Sequence, residues 1–167
     1  MWQWSFAISG QIVVVGLGYV GLPLAIALAG KFPTCGLDIS AARIAELESG
    51  MDRTGEIDAD RLNASPLQYA SSVADCPAAD VYILTIPTPV DRNNVPDLGP
   101  LLAATRAIAS VLDPHLDRLG EPYRATLDGN EQYDDAEGIL ELLEKIRTEP
   151  RLKRLWASIV FIEQPIG

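Results

Sequence analysis

The stretch VVVGLGYVGLPLAIAL, residues 13–28, constrains this chain more than any other. A β-branched run, QIVVVG (11–16), has no polar alternation. That is the habit of a strand covered on both faces in a parallel sheet. It passes straight into Gly16, Gly18 and Gly21, spaced G-x-G-x-x-G. YVGLPLAIALAGKF (19–32) then predicts an amphipathic helix, with Pro23 in its first turns, where a missing N–H costs little. A strand that turns on glycines into a helix leaves free N–H groups and about half a unit of positive charge at one point. Gly16 permits the tight turn, Gly18 lets a ligand approach the backbone, and Gly21 lets helix and strand pack closely. A dinucleotide diphosphate is the ligand that such a turn suits.

The next segment supplies the reader of that ligand. TCGLDI (34–39) predicts a second strand ending in Asp38, 22 positions past Gly16. A carboxylate there accepts bonds from both ribose hydroxyls and repels a 2′-phosphate, so NAD is expected rather than NADP. Ser40 is placed to cap a helix over 41–50, which Gly50 stops. Residues 51–66 are polar and irregular, with a short helix near 58–63. LQYASS (67–72) reads as an edge-like third strand, and DVYILTI (80–86) as a strong fourth. The loop 87–97 is rich in Pro and Asn. Asp97 then caps a helix over 98–112 that buries Leu98, Leu101, Leu102, Ile108, Val111 and Leu112.

Beyond that helix the character changes. DPHLDRLGEP (113–122) reads as a linker, and His115 within it as a surface residue. YRATLD (123–128) predicts a strand, and 134–147 a charged helix with Asp134 and Glu137 at capping-box spacing. Residues 151–158 add a further turn or two, with Lys145 and Lys153 facing water, and IVFIEQPIG (159–167) is a last strand. The alternation predicts a doubly wound α/β fold, three-layer and Rossmann-like, with a mostly parallel sheet of order 3-2-1-4-5-6. With 167 residues, 48% of them hydrophobic, a single domain over 1–167 is expected.

Composition removes several function classes. A net charge of −10 opposes nucleic-acid binding. No apolar run reaches the roughly 18 residues of a membrane span, and MWQWSFAISG lacks the basic start of a signal peptide. Cys35 and Cys76 make no disulfide framework and read as free buried thiols, so a cytoplasmic location is expected. Trp2 and Trp4 have no physical account. The sheet's open edge leaves a homodimer available as an assembly.

VVVGLGYVGLPLAIALA, GLDISAARIAEL and DVYILTIPTPVD with PDLGPLLAA resemble the N-terminal domain of the nucleotide-sugar dehydrogenases. The branch is the one acting on UDP-N-acetylmannosamine and related UDP-sugars, including the UDP-glucose type. The likeness covers about 11–112. It implies that Gly16, Gly18, Tyr19 and Val20 line the phosphates, with Gly21 behind them. It implies that Asp38 and Arg43 frame the adenosine ribose, and that Thr85, Pro87 and Thr88 border the cofactor. Chemistry agrees on the last point, since a cleft opens where the strand order reverses, between strands one and four. The family's reactive cysteine lies in a later domain, and the chain has no cysteine after Cys76. No catalytic residue is therefore assigned, and complete UDP-sugar 6-dehydrogenase activity is not expected.

LDGN and FIEQP, on either side of the second charged helix, resemble one strand-helix-strand unit of the mandelate racemase/enolase superfamily. That likeness, over about 122–167, implies that Asp128 and Glu163 bind Mg²⁺. The two likenesses together describe a chimera in which 123–167 completes the sheet. Alternatives to an NAD-binding module are then a recombined or engineered scaffold without a ligand, and a remnant Mg²⁺ site.

Overall fold

The computed structural model describes residues 10–87, 89, 92, 97, 99–119, 125–128, 136–150 and 153–163. Trp2, Trp4, Thr88, Leu98 and Asp134 lie outside them. The chain divides into two compact units, Met1–Val111 and Leu112–Gly167.

The first unit is built on four parallel strands in the order β3-β2-β1-β4. These are β1 (Ile12–Val15), β2 (Thr34–Leu37), β3 (Gln68–Ala70) and β4 (Val81–Leu84). β1 is central, with Val13 beside Cys35 of β2 and Tyr82 of β4. All residues of β1 and β2 are buried, including Thr34, whose hydroxyl donates to the Phe32 carbonyl at 2.9 Å. β4 is the sheet's other edge and is half-buried along its length.

Helices α1 (Gly21–Ala29), α2 (Ala41–Glu48) and α3 (Ala59–Ala64) follow their strands much as the sequence predicts. Ser40 caps α2, its hydroxyl accepting from the Arg43 N–H at 3.2 Å. Asp58 caps α3 in the same way, through the Arg61 N–H at 2.8 Å. α1 departs from the amphipathic expectation. Of its residues only Ala27 is exposed, and Pro23, Leu24, Ile26 and Leu28 are half-buried. A helix of GLPLAIALA has no polar side chain to turn outward. The core joins Ile12 and Val14 of β1 to Leu22, Ala25 and Ala29 of α1 and to Ile44 and Leu47 of α2.

α4 (Gly99–Leu119) corrects the expected linker. The helix begins close to where Asp97 predicts, with the Asp97 carboxylate accepting from the Gly99 N–H at 2.9 Å. It then runs through residues 113–119, including Pro114 and His115, instead of ending at 112. Pro114 removes one hydrogen bond, to the carbonyl four residues back, and the helix continues on either side of it.

In the second unit, β5 (Ala125–Asp128) and β6 (Ile159–Glu163) pair in parallel as a separate two-stranded ladder. α5 (Ala136–Thr148) and α6 (Lys153–Ser158) lie between them in sequence. The hydrogen-bonded order is thus 3-2-1-4 and 5-6 in two sheets, where the sequence predicted one ladder of six. Exposed Lys145 pairs with Glu141 at 2.8 Å, one helical turn away. Among the described residues, no helix is long and apolar enough to cross a membrane.

Leu47 is 2% exposed and links α2 to the core. Leu47→Ala is expected to lower unfolding free energy by about 2–5 kcal/mol, read as a shifted midpoint in urea denaturation.

A candidate dinucleotide site at the strand-order reversal

The chain leaves β1 for β2 on one side and reaches β4 on the other, so the sheet order reverses between β1 and β4. Ligands of open parallel sheets bind beyond the carboxyl ends of strands at such a point. Here the segments at that point are the glycine loop after Val15 and the residues after Leu84.

Gly16 has φ +94°, which side-chain-bearing residues rarely adopt. Its N–H donates to the Leu37 carbonyl at 2.7 Å, continuing the ladder one step past β1. Gly21 allows the closest approach in the loop. A Cβ there would lie 1.8 Å from the Gly16 carbonyl oxygen and 2.4 Å from Thr85 Oγ1. A Cβ on Gly18, by contrast, would meet nothing within 4 Å. Gly16 and Gly21 are therefore demanded by the protein's own packing, whereas Gly18 borders open space. Tyr19 and Val20, at the start of α1, are 69% and 52% exposed.

Leu17 lies under the loop with its side chain fully buried, packed against the bare Cα of Gly36. The Leu17 N–H donates to Asp38 Oδ2 at 2.9 Å. The other Asp38 oxygen accepts from the Ser40 N–H, also at 2.9 Å. Asp38 is thus held at the end of β2 and half-buried, with lone pairs to spare for a ligand. Ile39 beside it is 93% exposed.

The resemblance sets Arg43 beside Asp38 at the adenosine ribose. It is 5% exposed, and Nε donates to the Leu17 carbonyl at 3.0 Å. The rest of its guanidinium pairs with Glu46 at 2.6 Å and Asp52 at 2.7 Å. Thr85 is likewise turned inward. Its hydroxyl reaches the Gly16 carbonyl at 2.8 Å and the Val15 carbonyl at 3.0 Å. Pro87 is exposed, and Thr88 lies outside the described residues.

Asp52 is the residue that sequence reasoning missed. Its side chain is fully buried. One oxygen takes the Arg43 guanidinium, and the two together accept from the Thr54 hydroxyl and N–H and from the N–H groups of Glu56 and Ile57. Burial pushes its carboxyl up, but the Thr54 hydroxyl, the Arg43 guanidinium and the peptide N–H groups of Thr54 and Ile57 outweigh that and bring it to about 2. Glu46 is held below its usual range, first by the Arg53 N–H and also by the charges of Arg43 and Arg53. The only hint in the sequence is the short Asp-x-Thr of MDRTGEID, a spacing that suits a carboxylate bonding the backbone of its own loop.

Cys35 is buried as expected, but Cys76 is half-buried. The neighbouring Cys76 sulfur, together with burial, pushes the Cys35 thiol up, and Cys35 in turn brings Cys76 down; the two thiols themselves are set against backbone carbonyls, of Gly36 and Ser72. Among the described residues, no group of three or more His, Cys, Asp or Glu converges as metal ligands would.

A glycine turn of this geometry, with a carboxylate at the end of the neighbouring strand, defines a Rossmann-type nucleotide-binding module. Residues 10–116 match the UDP-glucose/GDP-mannose dehydrogenase family, NAD binding domain, and the chain belongs to that family. Protein CapL of Staphylococcus aureus is 44% identical over 104 residues, 62% of this chain and 24% of that protein. The UDP-N-acetyl-D-glucosamine 6-dehydrogenase of Pseudomonas aeruginosa is 47% identical over 103 residues, 61% of this chain and 24% of the enzyme. The structure of a UDP-D-ManNAc dehydrogenase from Pyrococcus horikoshii superposes with a TM-score of 0.55 at 35% identity, over 60% of this chain and 25% of that one. The chain thus spans about a quarter of the length of these relatives.

The Asp52 carboxyl falls from an ordinary 3.8 to about 2 on folding. Its contribution to stability is therefore complete above about pH 4 and lost as pH drops through about 2. Asp52→Asn is expected to be less stable at pH 7 and to show a flatter decline of unfolding free energy between about pH 4 and pH 2, measured by urea denaturation across that range.

Proposed function

We propose that residues 10–116 bind NAD(H), with the diphosphate over Gly16–Gly21 and the adenosine ribose on Asp38. The observation that carries this reading is the contrast among the glycines. Gly16 and Gly21 are filled against by the protein itself, while the space a Cβ would take at Gly18 is open. A merely structural turn has no use for that gap; a diphosphate approaching the peptide N–H groups does. Tyr19 and Val20 stand exposed at the start of α1, where they would flank the phosphates. Exposed Ile39 offers an apolar face for the adenine beside the Asp38 carboxylate. The charge on Asp38 disfavours a 2′-phosphate, so NAD is preferred to NADP.

Bound NAD⁺ would accept a hydride from an alcohol, and the relatives' names assign that chemistry to UDP-N-acetylhexosamines. This chain's own part is to hold the cofactor. Thr85 and Arg43 contribute by fixing the loop backbone, from the β4 and α2 sides respectively. No described residue is assigned to proton or hydride transfer.

A second reading concerns β5 and β6. Their register sets Asp128 beside Glu163 at the carboxyl ends of parallel strands. Neighbouring strands are about 4.8 Å apart, and Mg²⁺ is commonly held by one or two carboxylates with water completing its shell. We propose this pair as the place where a divalent cation would bind.

The cofactor reading is tested by NADH titration with fluorescence energy transfer. Gly18→Val is expected to keep the wild-type melting temperature, since its side chain enters open space, but to lose NADH binding. NADPH is expected to bind at least about tenfold more weakly than NADH, a difference of about 1.4 kcal/mol. A wild type that ignores NADH leaves a scaffold without a ligand, and a Gly18→Val chain that binds NADH like the wild type overturns the placement of the diphosphate at Gly18. For the cation, isothermal titration with Mg²⁺ is expected to give a weak signal that Asp128→Ala removes.

A further inference from the structure

Cys35 and Cys76 are the only cysteines of the chain, and the fold brings both to one face of the first unit's sheet. Val13, Cys35 and Tyr82 stand in one row across β1, β2 and β4. Ile12 and Val14, on either side of that row, pack with α1, α2 and α3, and Gly36 faces the Leu17 side chain in the same layer. Side chains alternate along a strand, so Cys35 faces the opposite side of the sheet.

Residues 71–80 cross that opposite side. The chain runs outward from β1 to β2 to β3 with its helices on one face, then returns past β2 and β1 to reach β4. A right-handed connection made in the reverse direction has to use the other face. It covers three strand spacings, about 14 Å. Cys76 comes midway along it, just after a single 3₁₀ turn at Val73–Asp75. The thiols sense each other there, Cys76 pushing Cys35 up and Cys35 bringing Cys76 down. Tyr82, in the same row as Cys35, is pushed up by burial and further by Cys76.

The two sulfurs are unequal. Cys35 is 1% exposed, whereas Cys76 is half-buried. Cys76 is thus the thiol that ionises more readily and the one an oxidant reaches.

We propose that Cys35 and Cys76 are a reversible disulfide site, closed in the folded chain by a hydroperoxide, with Cys76 as the attacking and Cys35 as the resolving thiol. The Cys76 thiolate attacks one peroxide oxygen. An S–O bond forms, the O–O bond breaks, and hydroxide leaves with the bonding pair. The Cys35 sulfur then attacks the Cys76 sulfenic acid. An S–S bond forms, the S–O bond breaks, and the hydroxyl departs as water with the Cys35 proton. Two thiols are oxidised to one disulfide, and one peroxide is reduced to water. Conversion of Cys76 to an uncharged sulfenic acid also removes the main influence that holds the proton on Cys35. The bond closes residues 36–75 into a loop and ties β2 to the crossover.

The test treats the folded full chain with hydrogen peroxide and follows intact mass, non-reducing peptide maps and thermal melting. The expected product is a monomer lighter by two hydrogens, in which a Cys35 peptide is joined to a Cys76 peptide. Its melting temperature is expected to rise by about ten degrees, and dithiothreitol to reverse both changes. Cys35→Ala is expected to stop at the Cys76 sulfenic acid, which dimedone labels. Cys76→Ala is expected to stay unlabelled, because the remaining thiol is buried. The wild-type mass and map decide the matter even if a variant fails to fold. A wild-type chain that only gains oxygen at Cys76 overturns the proposal. So does one that links only to a second copy, or only in concentrated urea. A linked monomer that melts no higher than the reduced chain overturns it too, since a bond between native neighbours stabilises the fold.

Discussion

The first unit of this protein depends on one peptide segment, Gly16–Leu17–Gly18, being held still. The sheet reaches it through the Gly16 N–H on the Leu37 carbonyl, and β4 reaches it through the Thr85 hydroxyl on the Gly16 carbonyl. α1 closes over it where Gly21 leaves room for the Gly16 carbonyl. The Leu17 side chain anchors it from beneath against Gly36. β1, α1, β2 and the end of β4 thus converge on three residues. Their backbone groups are nearly all committed to the protein, and the opening is confined to the side where Gly18 has no neighbour. Preorganisation of this kind lets a loop bind an anion with little ordering cost at the moment of binding.

The electrostatics are arranged around the same segment. The chain carries a net charge of −10, yet the cation nearest the glycine loop is sealed inside it. A buried guanidinium is costly unless paired and hydrogen-bonded. Arg43 meets that requirement with two carboxylates and a carbonyl. Asp52 meets its own requirement with the peptide groups of its loop, which is why its carboxyl stays ionised although it is buried. The positive character of this turn comes from oriented peptides and the start of a helix, with a buried charge behind them.

The glycine spacing, the apolar strand before it and Asp38 were all readable from the sequence, because each answers to a short-range rule. A tight turn needs Gly16, a ribose reader belongs at the end of the second strand, and Ser40 and Asp58 cap the helices that follow them. Arg43 and Asp52 were not readable in the same way. They are nine residues apart across the end of α2, and whether an arginine lies on a surface or beneath a loop depends on how that helix packs. Thr85 was expected to border the cofactor; that its hydroxyl also reaches the Val15 carbonyl, 70 residues away, is a contact no local pattern specifies. The helix through Pro114 was missed for a different reason. A proline in a polar stretch usually marks an end, and the residues beside it carry no local signal that the helix runs on.

What the chain's order of residues settled, then, was the kind of fold and the place of its glycine turn, since buried parallel strands and glycine turns have patterns that survive without any partner. Which side chains hold the loop was settled by packing: the burial of Arg43, the hydroxyl of Thr85 on the Gly16 carbonyl and the cage around Asp52 are tertiary contacts that no local pattern specifies. The same holds for the sheet. Strand order 3-2-1-4 follows from short crossovers. The pairing of β5 with β6 in a ladder of their own follows from hydrogen bonds that no local pattern specifies.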